Sequence, residues 1–218
     1  MSKVKLQTPS VAARRDLVVL AADKDAQEAL DGLLGNRTKS LQIRDIKYDI
    51  EKHPQHDPGC LLTSAGILTP FAHTHKYAIV VFDYDGCGRS ESTRKSLEIE
   101  VETVLAKVWD GRVAVIVIDP ELEAWIWTKP SHIPDIIGWP TTESLPEWLV
   151  ENAYLDSPTQ AKPVRPKEAF EAALREVRKP RSSATFRRIA EKVSFGKCTD
   201  PAFLKLLTTL RKWFPATA

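Results

Sequence analysis

The chain has 218 residues, of which 43% are hydrophobic and 28% charged, as is typical of a globular domain. Its formal net charge of +2 gives no overall polyanion-binding signature, so any contact with nucleic acid has to come from a local patch. The three cysteines are far apart and contain no Cys-x-x-Cys pair, which favours a reducing compartment over a disulfide framework. No apolar run is long enough to span a bilayer, so we expect a cytoplasmic protein with no membrane partner.

Three short apolar runs, rich in β-branched residues, predict strands that are buried on both faces. They cover residues 17–21, 78–82 and 113–118. Helices are predicted between them, at about 24–34 and 92–109, by apolar residues at helical spacing. Such an alternation predicts a parallel sheet covered by helices.

The segment between the first two strands is more mixed. Alternating apolar and polar residues over 41–50 predict a second strand or strand pair. Prolines and a glycine predict a loop over 53–60, and a short helix is predicted over 61–68.

Residues 128–218 have a different character from the part before them. Prolines predict an ordered loop over 128–147, followed by a short helix over 146–155. Amphipathic patterns predict three closing helices, over 168–178, 184–193 and 201–214. We therefore predict an α/β fold with a mostly parallel sheet in residues 1–127, and a Pro-rich connection and C-terminal helical subdomain in residues 128–218, packed on that core.

Acidic side chains follow each of the three predicted buried strands. Because parallel strands end at one edge of a sheet, these acids are expected to meet there and to hold a divalent cation. The alternative is that they are polar turns and helix N-caps. The acids are Asp23, Asp25, Asp83, Asp85, Asp119, Glu121 and Glu123.

A second group of ligand-type residues lies before the central strand. His53, His56, Asp57 and Cys60 are side chains that zinc accepts. The prolines among them argue against the helix of a His-Glu-x-x-His enzyme, and we favour a loop that packs beside the acidic edge.

The C-terminal part carries most of the concentrated basic residues. Lys162, Lys167 and Arg181 are the candidates for contact with a phosphate backbone, although such residues usually lie on solvated helix faces. Trp125 and Trp127 are the aromatic candidates for base stacking, against the more common role in a core.

Taken together, these segments resemble the Toprim domain, and in particular small bacterial Toprim-like proteins found near phage-defence genes and related to the nuclease half of overcoming-lysogenization-defect proteins. The resemblance covers most of residues 16–214, and its most specific part is the Asp-Pro-Glu-Leu-Glu-Ala-Trp segment. The matching stretches are LVVLAADKDAQEAL, HPQHDPGC, YAIVVFDYDGCG, VIVIDPELEAWIW, KPVRPKEAFEAAL, RSSATF and KVSFGKCTDPAFLKLLTTLRKWF.

The resemblance implies a Toprim fold and Mg²⁺- or Mn²⁺-dependent cleavage of phosphodiesters in antiphage defence. The metal-binding and catalytic acids would be Asp83, Asp85 and Glu123. Glu121 and Asp25 are further candidate ligands, and Lys167 or Arg181 would stabilise the developing charge. Nucleic acid, DNA or RNA, and other defence proteins are the implied partners, and we expect a homodimer.

One position departs from the Toprim pattern. Toprim enzymes carry a Glu at the end of the first strand, where this chain has Ala21 and Ala22. A second hypothesis is therefore a catalytically degenerate Toprim subunit that binds a partner or nucleic acid in a defence complex. A third is a haloacid-dehalogenase-like phosphatase, because an apolar strand followed by Asp-x-Asp-Gly also resembles that family.

Overall fold

The computed structural model describes residues 14–127, 132–160, 162–192 and 198–216. Within these ranges the chain forms an all-parallel, four-stranded sheet with the order β2-β1-β3-β4. The strands are β1 (Arg15–Ala21), β2 (Tyr48–Lys52), β3 (His75–Asp83) and β4 (Val113–Ile118). The predicted α/β class is confirmed, with helices on both faces of the sheet and a helical C-terminal region.

Ten α-helices lie in the described residues, and none of them is long and apolar enough to cross a membrane. They are α1 (Lys24–Asn36), α2 (Thr38–Leu41), α3 (His56–Leu68), α4 (Arg94–Trp109), α5 (Glu123–Ile126), α6 (Ile133–Ile137), α7 (Leu145–Glu151), α8 (Pro166–Glu176), α9 (Ser183–Lys192) and α10 (Pro201–Trp213).

The sheet separates two hydrophobic layers. Successive side chains of β1, such as Val18 and Val19, point to opposite faces of the sheet, as in any β-strand. The face of Val19 is covered by α1, α8, α9 and α10, and the face of Val18 by α3 and α4. The C-terminal helices thus share one hydrophobic layer with α1 and the sheet.

The edge strand β4 is closed by side chains rather than by another strand. The N–H groups of Val115 and Val117 face away from β3 and donate to carboxylates of α4: to Glu102 Oε1 at 2.9 Å and to Glu98 Oε1 at 3.2 Å. Lys205 of α10 pairs with both carboxylates, at 2.7 and 3.1 Å. Two helices therefore cover the outer edge of this strand.

The region between β1 and β3 differs from the sequence prediction. Residues 41–50 contain the end of α2 and the start of β2 rather than one strand or a strand pair. The predicted loop over 53–60 is wrong in its second half, because α3 already begins at His56. Pro58 is tolerated there because the N–H groups of a first helical turn have no acceptor within the helix.

The C-terminal helices were placed within about two residues of their observed bounds. The predicted end of the second one, residue 193, lies outside the described residues. Residues 132–147 are not a loop throughout, because α6 and the first turn of α7 lie there, whereas residues 128–131 lie outside the described residues.

Candidate functional site

A cleft of about 230 Å³ lies at the carboxyl ends of the strands. Carboxylates from the segments that follow all four strands line it, although acids were predicted after only three. The cleft lining contains seven acidic side chains and two basic ones, so acidic groups predominate in it. The lining residues are Asp23, Asp25, Asp57, Asp83, Asp85, Gly86, Glu121, Leu122, Glu123, Lys167 and Arg181.

The two acids after β1 have different roles. Asp23 is the N-cap of α1 and accepts the N–H of Ala26 at 2.8 Å, which is the capping role weighed against metal binding. Asp25 Oδ2 accepts hydrogen bonds from Arg181 Nη2 at 2.6 Å and Nε at 3.1 Å, and Oδ1 accepts one from Ser183 Oγ at 2.5 Å. Asp25 therefore joins α1 to the start of α9.

The Asp-x-Asp motif lies at the end of β3, as predicted. Asp83 is the last residue of β3, and Asp85 is the first residue of a single 3-10 turn. Asp85 is exposed, and its N–H donates to the carbonyl of Pro120 at 3.1 Å, which ties the turn to the segment after β4. Burial, together with the charge of Asp57, raises the pKa of Asp83 well above its usual range.

The segment after β4 supplies Glu121 and Glu123. Burial and the charge of Glu123 raise the pKa of Glu121 to about 7, against which the positive charge of Lys167 acts. Glu121 Oε1 accepts the N–H of Lys167 at 3.0 Å. Glu123 is 2% exposed, and its burial raises its pKa although Arg181 opposes that shift.

Arg181 is the cation at the centre of this acidic cluster. Its guanidinium contacts Asp25, Glu123 Oε1 at 2.6 Å and Glu171 Oε1 at 3.2 Å. Burial alone would lower the pKa of Arg181, but the charges of Glu123 and Asp25 raise it on balance. Arg181 was predicted as a nucleic-acid contact or as a stabiliser of the developing charge, and it lies against the carboxylates that were predicted to bind metal.

Asp57 is the cleft residue that the metal-site prediction missed. It lies in the first turn of α3 and Oδ1 accepts the N–H of Asp83 at 2.7 Å. Burial and the charge of Asp23 raise the pKa of Asp57, and the hydrogen bond from the Asp83 N–H opposes this shift. Its position soon after a strand end was a signal, but β2 was predicted to end at residue 50 and a loop was predicted to follow.

Two other residues of that segment, His53 and Cys60, are buried. His53 is 2% exposed, and its ring bonds with the N–H of Gln55 and the hydroxyl of Thr63, each at 3.1 Å. Cys60 is completely buried. His56 does not line the cleft.

Of the basic and aromatic candidates described next, only Lys167 lines the cleft. Lys167 lies at the rim of the cleft with about half of its side chain exposed, 3.8 Å from Glu121 Oε2. Lys162 lies outside the cleft lining and pairs with Asp200 at 3.1 Å. Trp125 donates to Asp200, and Trp127 is buried and donates to the carbonyl of Pro166, so both indoles have core roles.

The carboxylates supply oxygen donors of the kind that Mg²⁺ and Mn²⁺ prefer. Among the described residues, no group of three or more His, Cys, Asp or Glu side chains is arranged so as to hold a metal ion. Glu123 Oε1 is nevertheless buried, and in this part of the chain it is paired with Arg181 Nη1 at 2.6 Å. A buried carboxylate oxygen with spare acceptor capacity, next to further carboxylates, fits a hard cation.

The end of β1 carries alanines and no acidic side chain. Ala21 is completely buried, and its carbonyl accepts the N–H of His53 at 2.9 Å. The next acids along the chain are Asp23, the N-cap of α1, and Asp25 in its first turn. No protein-family model, no curated protein and no solved structure matches the chain.

Proposed function

We propose that this protein is a Mg²⁺- or Mn²⁺-dependent nuclease of the Toprim type that acts on phosphodiesters of nucleic acid. The observation that carries the proposal is the cleft, whose lining among the described residues has seven carboxyl groups and two basic side chains, Lys167 and Arg181. Carboxyl groups crowded in this way repel each other unless protons or cations neutralise them. Burial and, after it, the charge of Asp57 raise the pKa of Asp83. A bound divalent cation would relieve the repulsion.

Asp83, Asp85 and Glu123 would hold the cation, with Glu121 and Asp25 as further carboxylates of the same cleft. When bound, the cation would supply Lewis-acid activation of a phosphodiester and of water.

The protein's own basic residues divide the remaining work. Lys167 makes one long contact with Glu121 and is half exposed, so its ammonium group is available to a substrate phosphate. Arg181 is held by Asp25, Glu123 and Glu171, so it orients the carboxylates rather than the substrate. We assign charge stabilisation in the substrate to Lys167.

The resemblance to Toprim proteins near phage-defence genes extends the proposal to antiphage defence in the cytoplasm. It also supports other defence proteins as partners. A homodimer remains a prediction.

A second candidate is the catalytically degenerate subunit, and two observations favour it. The guanidinium of Arg181 already neutralises Glu123 and Asp25, and a buried alanine, Ala21, lies at the end of β1. In that case the cleft would be a structural charge cluster, and the protein would act by binding.

The test combines calorimetry with a cleavage assay. Mn²⁺ and Mg²⁺ are titrated into the parent protein and into Asp83→Ala/Asp85→Ala, and each sample is then incubated with plasmid, single-stranded DNA and tRNA. Glu151→Ala/Glu176→Ala is a matched control, because it removes two exposed acids outside the cleft lining.

Metal-dependent cleavage by the parent and the control, lost in Asp83→Ala/Asp85→Ala, is the expected result. Metal binding without cleavage of any substrate would favour the degenerate subunit. Absence of metal binding by the parent would overturn the nuclease proposal.

A further inference from the structure

Asp57 reaches the Asp-x-Asp turn from a neighbouring element. It comes from the first turn of α3, after β2, and β2 is separated from β3 by β1 in the sheet. Its Oδ1 accepts the N–H of Asp83 at 2.7 Å. The carboxylate is thus bonded to the backbone at the point where β3 ends.

The second oxygen of Asp57 lies where a side chain at position 86 would be. A Cβ added to Gly86 would lie 2.4 Å from Asp57 Oδ2 and 2.7 Å from Asp57 Cγ. Gly86 is not among the residues with positive φ, so its backbone would accept an L side chain. The glycine is therefore required by the close approach of Asp57 and not by the turn itself.

The backbone around Asp57 is held in place by the buried His53. The His53 N–H donates to the carbonyl of Ala21, and its ring accepts the N–H of Gln55. A Cβ at Gly59 would lie 2.1 Å from His53 Nδ1, so α3 passes directly over the imidazole. This packing fixes the position of α3, and therefore of Asp57, relative to the end of β1.

We infer that Asp57 is a positioning residue that fixes the Asp83-to-Gly86 turn and thereby sets where the carboxylates of Asp83 and Asp85 lie in the cleft. The inference rests on the proposed function for its consequence, metal binding, but not for the contact itself. Asp57 acts through an acceptor oxygen, so an amide should replace it where a methyl group cannot.

The first test compares Asp57→Ala with Asp57→Asn by two measurements. One is hydrogen exchange of the segment 82–88, and the other is Mn²⁺ affinity by calorimetry. We expect Asp57→Ala to speed exchange of the Asp83 amide about 10-fold or more and to weaken Mn²⁺ binding by about 10-fold, the typical effect of losing a hydrogen bond to a charged group. Asp57→Asn should remain within about threefold of the parent in both.

Glu102→Ala is the matched control. It removes a carboxylate that accepts a strand N–H, that of Val115 at 2.9 Å, on the same sheet but outside the cleft lining. It should leave the exchange of the segment 82–88 and the affinity for Mn²⁺ unchanged.

The second test is a double-mutant cycle with Gly86→Ala. In the parent, Gly86→Ala should speed hydrogen exchange of the segment 82–88 and weaken Mn²⁺ binding by about 10-fold each, because it forces Asp57 away from the turn. In the Asp57→Ala background the two nearest atoms are gone, and it should add less than about twofold. Gly86→Ala alone leaves residue 57 intact, so it tests the contact even if Asp57→Ala does not fold.

The possible failures are distinguishable. A parent protein that binds no Mn²⁺ would overturn the proposed function, whereas hydrogen exchange would still decide the role of Asp57. Unchanged exchange in both Asp57→Ala and Gly86→Ala would overturn the inference. So would an Asp57→Asn variant as impaired as Asp57→Ala, or additive effects in the cycle.

Discussion

Arg181 Nη1 lies 2.6 Å from Glu123 Oε1, so a buried carboxylate after β4 is paired with an arginine from the connection between α8 and α9. Glu123 is 2% exposed, and the Arg181 side chain is 31% exposed, so the charge pair links the floor of the cleft to its rim. Removing one member of such a pair leaves the other charge buried without compensation.

Arg181→Gln should therefore lower the free energy of unfolding by about 3 kcal/mol at neutral pH, as measured by urea denaturation. Arg187→Gln is the matched control, because Arg187 also joins α9 to α1, through Glu28 and Asp31, but at a more exposed site. The control variant should lose clearly less free energy of unfolding than Arg181→Gln. Equal losses would show that the burial of Glu123 has no special weight.

The pH dependence of the free energy of unfolding should reveal the raised pKa of a buried carboxyl group in the cleft. The pKa of Glu121 is raised from 4.5 to about 7, so the folded state binds this proton more tightly than the unfolded state does. Its contribution is complete below about pH 4.5 and is lost as the pH rises towards 7 and above.

We expect Glu121→Gln to be more stable than the parent at pH 8, by about 1–2 kcal/mol after allowance for solvent screening, and similar to it near pH 4.5. The measurement is chemical denaturation across this range in the presence of a chelator. Glu176→Gln, an exposed acid at the end of α8 that does not line the cleft, should leave the pH profile unchanged. A Glu121→Gln profile parallel to that of the parent would contradict the prediction.

The central part of this architecture follows from sequence, because it depends on local patterns. β1, β3 and β4 are runs of β-branched residues, and parallel strands must end at one edge. Their order along the chain was therefore enough to bring Asp83 and Glu123 into one cleft. Asp23 could equally be read as a helix cap or a ligand, and the structure shows the cap.

Two features of the site depend on packing between distant segments. Asp57 follows β2, a short edge strand of mixed polarity, and it lies in the first turn of a helix that contains Pro58. Arg181 meets Glu123 only because α8 and α9 pack against the sheet and α1. No local pattern encodes such a contact, so the arginine was assigned to nucleic acid.

Trp127 should be important for the position of Lys167. Its indole N–H donates to the carbonyl of Pro166 at 3.0 Å, at the first residue of α8. Trp127→Phe should lower the free energy of unfolding by about 2 kcal/mol, because it removes this hydrogen bond and leaves the core less filled. The measurement is urea denaturation.

Trp213→Phe is the comparison for that variant. Trp213 is an indole of intermediate burial that stacks on Tyr77 at 4.4 Å, far from α8 in the chain, and its replacement should cost less. A larger loss in Trp213→Phe than in Trp127→Phe would contradict the role given to the Pro166 contact.

Asp16 provides a contrasting carboxylate at the opposite end of the sheet. Hydrogen bonds from Arg44 hold the pKa of Asp16 well below its usual range, against the opposing effect of burial, and Lys47 and Lys76 contribute further. The stability that Asp16 provides is thus present above about pH 4 and is lost as the pH falls towards its lowered pKa.

Asp16→Asn should cost about 2 kcal/mol at pH 7, and the difference from the parent should shrink progressively below pH 4. Denaturation at a series of pH values measures this. Asp45→Asn, a neighbouring exposed acid, should cost little at any pH. A constant difference between Asp16→Asn and the parent down to pH 2 would refute the assignment.

The carboxylates of Glu98 and Glu102 also limit how this protein can associate. They occupy the N–H groups on the outer side of β4, and Lys205 holds them in place. An incoming peptide strand would have to displace two ion-paired side chains before it could bond to β4. Dimers that continue the sheet through this edge, and partners that bind by strand addition there, are therefore disfavoured.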